Sequence, residues 1–370
     1  MRALSVRILN SALELVADLE RYGELYYTRS LIEPGDFAFL LPLEADTEGA
    51  VAEGNFILVG NDGTRIGIIE ETEHRALEKG TEWIIARGHE AKALFARRIT
   101  IPPAGAARID MDAPAESVMK ALVASQCGPG AAPERRFPGL DIAPDLGRGD
   151  AYSLSCGYSS LLLELGYLAK ASDLGFALTF DTVGKTLCFD VIEGLDRSAG
   201  QDQNARALFA QEYDTLSNAR LTKGFGRYAS ALYVLGTRLP EGRPVVLAWD
   251  RAEPEGYARF ERAIDAPALT EYERLQMYGM ARLGAYPTTF FLEAQLPAGS
   301  PLTADKDFAL GEQCSVHAYG AWYTVPIHSI EEHWTKDGST ISLGFGRPGV
   351  GAFSAAMHAT NELLIALRAG

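Results

Sequence analysis

The chain has 370 residues, enough for two or three modules of ordinary size. Its 47% hydrophobic and 22% charged residues are typical of a globular protein that buries a core. With 34 Lys and Arg against 49 Asp and Glu, the formal charge of −15 argues against a surface that grips nucleic-acid phosphates. Nucleic acid could still slide past such a surface, and solubility is the simplest explanation of the excess.

The first ten residues do not form a secretion signal, because Arg7 and Asn10 interrupt any apolar core of a signal peptide. Leu4, Val6 and Ile8 alternate instead, as in a strand. No apolar run approaches the ~18 residues that suggest a membrane span. The N-terminal part of the chain is therefore predicted to be folded β structure.

Residues 1–105 are predicted to form a first β-rich, barrel-like domain. A Pro-Gly sequence at 34–35 predicts a turn, since proline fixes φ and glycine permits positive φ. The apolar residues that alternate over 37–41 predict a half-buried strand after it. An Asn-Asp-Gly sequence at 61–63 lies between two apolar arms and predicts a hairpin. Several short strands with frequent turns are typical of a barrel or sandwich.

Residues 106–200 are predicted to be an insertion that contains helices, a loop and a hairpin. Apolar residues at helical spacing after Pro114 predict the first helix. The stretch 127–149 is rich in Gly and Pro and predicts a long loop that is either functional or mobile. A hairpin is predicted over 176–191.

A second helix of the insertion is predicted over 160–172. Ser159 or Ser160 is expected to cap its start, and Gly175 lies just beyond its predicted end.

Residues 201–347 are predicted to form a second β-rich, barrel-like domain with one helix. A capping-box pattern over 270–273 predicts the start of that helix, and Pro287 forbids its continuation. After it, strands are predicted at 288–295, 313–318, 321–334 and 340–345. Residues 348–370 are predicted to be a C-terminal helix with an apolar stripe.

The segment 187–236 joins the two halves. It reads as a strand, a polar loop, a short segment and a further strand that ends at Gly236. Gly and Ser residues break regular structure over 194–200. The pattern predicts a hinge between two sheet-containing halves and contains nothing typical of a catalytic centre.

Two stretches carry a resemblance to a known family. One is the order "strand, G-x-D-R-S, F-x-x-E-Y-D-x-L-x-N, strand ending in V-x-G" inside 187–236, and the other is YTRSLIEPGDFAFLLP followed by EGNFILV. Both are similar to the tail-tip and baseplate hub proteins of long-tailed phages, and most of all to the siphovirus Gp37-like tail proteins. The order of elements agrees from Arg7 to Arg347.

The resemblance implies an α+β, mostly β fold with two sheet-based, barrel-like tail-hub domains and small α/β insertions. It implies a structural virion protein at the tail tip of a phage or prophage, made in the cytoplasm of the bacterial host. It also implies a homotrimer, whose six barrels would form a pseudo-sixfold ring that matches the tail tube. The hub of a contractile or gene-transfer particle fits the pattern almost as well.

The same resemblance implies the partners. They are the distal tail or tube protein, the tape-measure protein and the tip or receptor-binding proteins. DNA would pass through the ring without being bound specifically, and the acidic excess is predicted to face that channel. No cofactor is implied.

Two other functions stay open at this point. A tail-associated peptidoglycan hydrolase would need a catalytic domain, and the residues beyond Arg347 are too few for one. A receptor- or carbohydrate-binding tail module would show exposed aromatic side chains. Trp322 and Tyr323 are its candidates, although a place in a strand core is the favoured interpretation of both.

No catalytic, cofactor-binding or metal-binding residue is predicted. The glycines over 344–349 match G-x-G-x-x-G, but too little chain follows for the parallel strand and acidic residue of a dinucleotide site. His328 and His333 are five residues apart, which puts them on opposite faces of an expected surface strand. Glu70 and Glu71 are expected on a solvated face rather than at an active site.

The cysteines and arginine pairs favour structural roles as well. The cysteines have no C-x-x-C spacing and are predicted to be reduced core thiols, including Cys156 in front of a helix. Arginine pairs occur at 97–98 and 135–136. The second pair lies in the predicted loop and is expected in solvent, although it could contact an acidic neighbouring subunit.

Overall fold

The computed structural model of the chain describes residues 4–19, 22–43, 49–76, 82–240, 242–249, 252–266 and 269–348. The predicted C-terminal helix lies outside these ranges, apart from Pro348. The fold is α+β and mostly β, as the sequence predicts. Its strands are β1 (Val6–Leu9), β2 (Leu15–Leu19), β3 (Glu24–Ser30), β4 (Asp36–Pro42), β5 (Phe56–Val59), β6 (Arg65–Ala76), β7 (Glu82–Glu90), β8 (Ile109–Pro114), β9 (Leu140–Ile142), β10 (Ala151–Cys156), β11 (Gly175–Asp181), β12 (Thr186–Ile192), β13 (Leu208–Phe209), β14 (Ser217–Gly224), β15 (Ala231–Leu235), β16 (Val245–Ala248), β17 (Glu261–Asp265), β18 (Thr289–Leu296), β19 (Gln313–Ala318), β20 (Ala321–Thr335) and β21 (Gly338–Arg347). Its α-helices are α1 (Ala115–Gln126), α2 (Leu161–Ser172) and α3 (Tyr272–Leu283).

A 13-stranded sheet runs through the molecule. Its main path is β14-β18-β21-β20-β3-β4-β7-β6-β5-β1-β2, and β19 and β13 branch from β20. The antiparallel pairing of β3 with β20 places Ser30 opposite Ser329 and Leu25 opposite Trp334. The strands of the two predicted β-rich domains therefore continue one hydrogen-bonded ladder. The boundaries at 105, 200 and 347 stay a prediction.

The strand β4 differs from its prediction because it is buried on both faces. Phe37 and Phe39 point into one hydrophobic cluster, whereas Ala38 and Leu40 point into another on the opposite face. Both faces of the sheet are covered at this position, so the whole strand is apolar. The prediction of a half-buried strand is wrong here, although the strand itself is confirmed over Asp36–Pro42.

The predicted hairpin at 61–63 connects β5 and β6. Phe56 pairs with Ile68 and Val59 with Arg65. Gly63 has a φ of 78°, and a Cβ there would lie 2.0 Å from the carbonyl oxygen of Phe180. Glycine is required both by the turn and by the close approach of β11.

The insertion packs α1 and α2 with two small sheets, β8-β10 and β11-β12-β9. Both helices occur where apolar spacing predicts them, and their buried faces share one core with the hairpin β11–β12. The stretch 127–149 is not wholly a loop, since β9 pairs in parallel with β12. The predicted end of α2 at 172 is confirmed, but Asp173 takes the left-handed conformation after it, with φ 53°, and Gly175 begins β11.

A second small α/β unit follows β14. Its sheet has the order β16-β15-β17, and α3 packs on β15 and β16. The capping-box prediction is wrong, because α3 starts after Glu271 and its N-cap makes no side-chain hydrogen bond. The helix still ends before Pro287, as predicted.

The predicted hinge is fixed to the second half by a strand-like connection. Gln313 N donates to the carbonyl of Leu195, and Arg197 N donates to the carbonyl of Gln313. The Arg197 guanidinium binds the Glu312 carboxylate at 2.6 Å. In this structure the segment around residues 195–197 is therefore held against the second half by backbone hydrogen bonds and one ion pair.

Candidate assembly site

One end of the large sheet is the strand β2. Among the described residues β2 pairs with β1 alone. Leu15 and Val16 are 58% and 44% exposed. Leu9 pairs with Leu15 and Ile8 with Ala17, so Val16 is the extra residue of a β-bulge. This edge therefore exposes two neighbouring apolar side chains.

The other end of the sheet is β14, which in the described part of the chain pairs with β18 alone. Asn218 and Ala219 form a bulge opposite a single residue of β18, and Asn218 has a φ of 51°. The hydroxyl of Tyr319, at the turn between β19 and β20, donates to the carbonyl of Ala219 at 2.7 Å. That hydroxyl satisfies one backbone carbonyl of the edge. The regular part of β14 begins after this carbonyl.

The two edges carry opposite charges. On β2, Asp18 is exposed and Glu14 precedes the strand. On β14, Arg220 is 79% exposed at its side chain, and Lys223 is exposed beside the Phe290 ring. The Arg220 guanidinium lies 3.9 Å from the Glu293 carboxylate, which is long for an ion pair, so its charge stays accessible to another group.

An aromatic group lies beside the β14 edge. Trp322 is 49% exposed and stacks on His317 with ring centroids 5.0 Å apart. Glu212 lies 3.0 Å from His317, and Tyr213 adds a second exposed ring 6.4 Å from Trp322. The strand-core interpretation of Trp322 is wrong, because this residue is half exposed in the part of β20 that pairs with β19 and not with β3 or β21. Exposed Trp and Tyr of this kind are typical of interface hot spots.

Tyr323, the other aromatic candidate, is half-buried. Its ring lies 5.1 Å from Phe290 and 5.4 Å from the ammonium of Lys223. It is therefore a packing residue, as predicted.

A buried ionic cluster ties the centre of the large sheet together. Arg29 on β3 binds Asp305 at 2.8 Å, and Arg65 on β6 binds Glu332 on β20 at 2.6 Å. Arg65 also reaches Asp305 at 3.0 Å. Burial opposes the charged guanidinium, but the hydrogen bond and charge of Glu332 outweigh it and raise the pKa of Arg65. Sequence reasoning missed this cluster, since Arg29 and Asp305 alone are 276 residues apart and the members carry no common motif.

A cavity of about 380 Å³ lies where the β3–β4 connection, the end of α2 and the end of β21 meet. Its walls combine Leu31, Lys170 and Glu33 with Arg347 and His328. The expectation of a surface strand is wrong for His328, whose side chain is only 5% exposed, because β20 lies between β21 and β3.

The acidic groups of this structure predict its response to pH. Hydrogen bonds from Arg148 lower the pKa of Glu116 far below its ordinary value, although burial opposes them, and Lys120 adds to the effect. A carboxyl with a depressed folded-state pKa contributes stability above its unfolded pKa and loses it as pH falls towards the folded pKa. We therefore expect the stability of the protein to decrease below about pH 4.5, as urea midpoints between pH 3 and 7 would show.

The variant Glu116→Gln tests this prediction. It should be less stable than the parent at pH 7 and should lose less stability on acidification. The matched control is Glu71→Gln, since the side chain of Glu71 is 66% exposed. If Glu116→Gln loses as much stability on acidification as the parent does, Glu116 is not the source of the pH dependence.

Gly344 of the glycine motif has a packing role, whereas Gly349 lies outside the described residues. Gly344 lies within β21 opposite Glu293 and Ser329, and β21 is antiparallel to both neighbouring strands. A Cβ on Gly344 would lie 2.3 Å from Ser329 Oγ and 2.5 Å from the Phe291 ring. A dinucleotide fingerprint needs a parallel βαβ unit, and this strand has no parallel neighbour within the described residues.

The four cysteines are free, and Cys127, Cys156 and Cys314 are buried. Burial raises the pKa of Cys127 and of Cys156 to about 12. Thiols with raised pKa values are poor nucleophiles. The prediction of reduced core thiols is thus confirmed for the three buried cysteines, whereas Cys188 is half-buried.

The arginine pairs fasten the stretch 127–149. Arg98 stacks on the Phe137 ring at 4.2 Å and donates to the carbonyl of Arg135 at 2.8 Å. Arg135 donates in turn to the carbonyl of Ile99, and Arg136 to that of Ala131. Contact of the second pair with a neighbouring subunit stays a prediction.

The described ranges contain no group of three or more His, Cys, Asp or Glu residues placed to hold a metal ion. No helix within them is long and apolar enough to cross a bilayer. Glu70 and Glu71 are exposed, as expected, beside His89 and Arg87 respectively.

Known structures share this fold over nearly the whole chain. The 43 kDa tail protein of prophage MuSo2 from Shewanella oneidensis is 16% identical, with a TM-score of 0.55 over 93% of this chain and 98% of its own. A tail protein from Neisseria meningitidis MC58 is 12% identical, with a TM-score of 0.54 over 92% and 96%. Prophage tail protein gp18 from Listeria monocytogenes EGD-e is 10% identical, with a TM-score of 0.53 over 97% and 99%. At these identities the likeness establishes the fold alone.

A comparison with curated proteins finds no match. The family model described as "Siphovirus ReqiPepy6 Gp37-like protein" matches residues 5–347. The resemblance inferred from the sequence is confirmed, and the chain belongs to the Siphovirus ReqiPepy6 Gp37-like protein family.

Proposed function

We propose that the protein is a structural hub of a phage or prophage tail tip, which joins the tail tube to the tip and forms part of the DNA-exit channel. The proposal is supported by the family and by a fold shared with prophage tail proteins over nearly their full length. The observation that carries it is a large sheet whose two ends are open edges in the described residues. Open edges are ready to pair with another chain, and natural monomers usually avoid them.

We propose further that the working form is a closed homotrimer. Cyclic closure would cover the open edges and place three copies of the sheet around one axis. The distal tail or tube protein and the tape-measure protein would lie on the side of the tube, and the tip or receptor-binding proteins on the other side. The acidic charge of each chain would keep DNA from binding to the channel wall.

The trimer is testable with the purified protein. A chain of 40.0 kDa should give a mass of about 120 kDa in light scattering at high concentration. Antibody labelling of assembled tails should mark the tail tip and no other part of the particle. Label along the tube, or a monomer under every condition and in assembled tails, would contradict the hub.

A receptor-binding tail module is the second candidate, and the exposed Trp322 with its stacked His317 favours it. The two functions separate on particles that carry Trp322→Ala. A receptor-binding module loses adsorption while tails assemble normally, whereas in a hub the ring has no part in adsorption, so every particle that assembles still binds cells. We propose no enzymatic role, because no observation on the described residues favours a hydrolase.

A further inference from the structure

We propose that the cavity of about 380 Å³ beside His328 is a binding site for a small carboxylic acid with an apolar body. The carboxylate would lie at the rim, against Arg227 and Arg347, and the apolar body would lie inside. Ligand sites usually measure about 300–1,000 Å³, so this cavity suits a small free acid better than a peptide segment. The inference goes beyond the tail-tip role and does not depend on it.

The inner wall of the cavity is apolar. Leu31, Ile32 and Leu174 line it and are buried. Pro287 and Pro326 add two rings whose nitrogens carry no hydrogen. An apolar ligand body could therefore replace water here without leaving those backbone positions with an unpaired donor. Apolar walls with a few polar groups are typical of small-molecule sites.

The rim is charged, and its charges do not cancel. Lys170 lies 2.5 Å from Glu33, and Arg347 binds Asp173. Arg227 also lines the cavity, is exposed, and makes no ion pair among the described residues. Three permanent cations thus accompany two carboxylates, which leaves one positive charge. One ligand carboxylate would balance it, whereas a phosphate group carries nearly two negative charges.

The two arginines of the rim are suited to a carboxylate. A guanidinium offers a planar fork that can form two parallel hydrogen bonds to the two oxygens. The side chain of Arg347 is 46% exposed and that of its partner Asp173 is 75% exposed, so their pair contributes little stability. A ligand could therefore bind Arg227 and share Arg347 without breaking a buried ion pair.

The wall around Glu33 directs the ligand carboxylate away from itself. His328 Nε2 lies 3.5 Å from Glu33, and the His328 side chain is only 5% exposed. Burial opposes ionisation of Glu33, but His328 and Lys170 outweigh it and lower the pKa of this carboxyl far below its ordinary value. Glu33 is therefore an ion that already has its partners and repels a second carboxylate. The Arg227 side of the rim is left for the ligand.

Binding would connect three parts of the molecule. The walls come from the end of α2, from the segment between α3 and β18, and from β20. A ligand in contact with all three binds the folded arrangement and not the unfolded chain. It therefore stabilises that arrangement by an amount that rises with its concentration.

The probe para-iodobenzoate tests the inference on the full chain. Titration calorimetry should show saturable binding of one molecule per chain, and the thermal midpoint should rise with probe concentration. Para-iodobenzamide has the same apolar body without the charge and should bind about tenfold more weakly, because hydrogen bonds to charged groups are stronger. Acetate has the charge without the body and should show no measurable binding at the same concentrations.

The variant Arg227→Gln tests the rim. Arg227 is exposed, so the variant should keep the thermal midpoint of the unliganded parent. Its affinity for para-iodobenzoate should fall about tenfold, whereas its affinity for para-iodobenzamide should not change. The matched control is Arg238→Gln, since Arg238 is exposed in the same small α/β unit but does not line the cavity. This control should bind both probes like the parent.

Soaked crystals locate the probe through the anomalous signal of its iodine. The iodine is expected inside the cavity, with the carboxylate at Arg227. Iodine at other places alone, equal affinity for the two iodinated probes, or no saturable binding at millimolar concentrations would overturn the site. A short acidic peptide that binds in the cavity more tightly than para-iodobenzoate would overturn the assignment to a small acid. Each of these results leaves the hub unaffected, because the hub is tested by the mass of the assembly and by labelling of tails.

Discussion

The variant Arg282→Ala is expected to lose about 3–5 kcal/mol of unfolding free energy, because it leaves a buried carboxylate without its charge partner. Arg282 on α3 pairs with Glu164 on α2, and both side chains are only 6% exposed. The guanidinium lies 4.3 Å from the Tyr167 ring and 5.2 Å from the Tyr278 ring. Urea unfolding of the two proteins at pH 7 measures the loss.

The double variant Glu164→Gln/Arg282→Met separates charge from packing. Replacing both partners removes the uncompensated charge, and such replacements are often close to neutral. We therefore expect the double variant to be more stable than Arg282→Ala. A loss below about 1 kcal/mol in Arg282→Ala would mean that water reaches Glu164 and that the pair is not a buried one.

Glu164 lies on α2 of the insertion and Arg282 lies on α3 of the second small α/β unit. Their pair therefore also holds these two units together. Arg274 and Asp110 make a second, exposed link between the same units at 3.1 Å. Exposed pairs contribute little, so Arg274→Ala should cost no more than about 1 kcal/mol. The contrast between the two arginines would show which contact fixes the arrangement.

The variant Gly194→Ala is expected to fold poorly, with a loss of about 3 kcal/mol or more. A Cβ at this position would lie 1.9 Å from the carbonyl oxygen of Gly311 and 2.4 Å from Glu312 N. These are backbone atoms, so no side-chain rotation can make room. Soluble yield and thermal midpoint are the measurements.

Gly200→Ala is the matched control in the same connecting segment. Its Cβ would meet only Ser198 Oγ, at 3.9 Å, so the protein should keep its stability or gain slightly from a less flexible unfolded chain. Equal thermal stability of the two variants would contradict the close backbone contact between residues 194 and 311.

Local patterns were sufficient to predict most elements of this fold. The Asn-Asp-Gly hairpin, the helix after Pro114 and the strand 313–318 depend on neighbouring residues, and each is present. Capping residues were predicted less well. Asp173 rather than Gly175 takes the left-handed position after α2, since aspartate also tolerates that conformation and Gly175 is needed where β11 passes Leu31.

Burial and partner choice were not predictable from local patterns. His328 is buried because β3 and β21 flank its strand. No local pattern around His328 predicts that β3 is a neighbouring strand. The Arg29–Asp305 pair joins residues 276 positions apart, so only the completed fold brings them together. Trp322 is exposed for the converse reason, because its part of β20 pairs with β19 and not with β3 or β21.

The β3–β20 seam has a consequence for how the protein is made. Ser30 pairs with Ser329, so β3 leaves the ribosome about 300 residues before its partner strand. At ~5–20 residues per second, the interval is roughly 15–60 s. During that time β3 has one unpaired edge, and the arginines at 29 and 65 have neither Asp305 nor Glu332 to bind. In the nascent N-terminal half Arg29 therefore lacks both carboxylates and Arg65 keeps only Asp62, and this partly unpaired positive charge discourages premature stacking of incomplete chains until the C-terminal strands arrive.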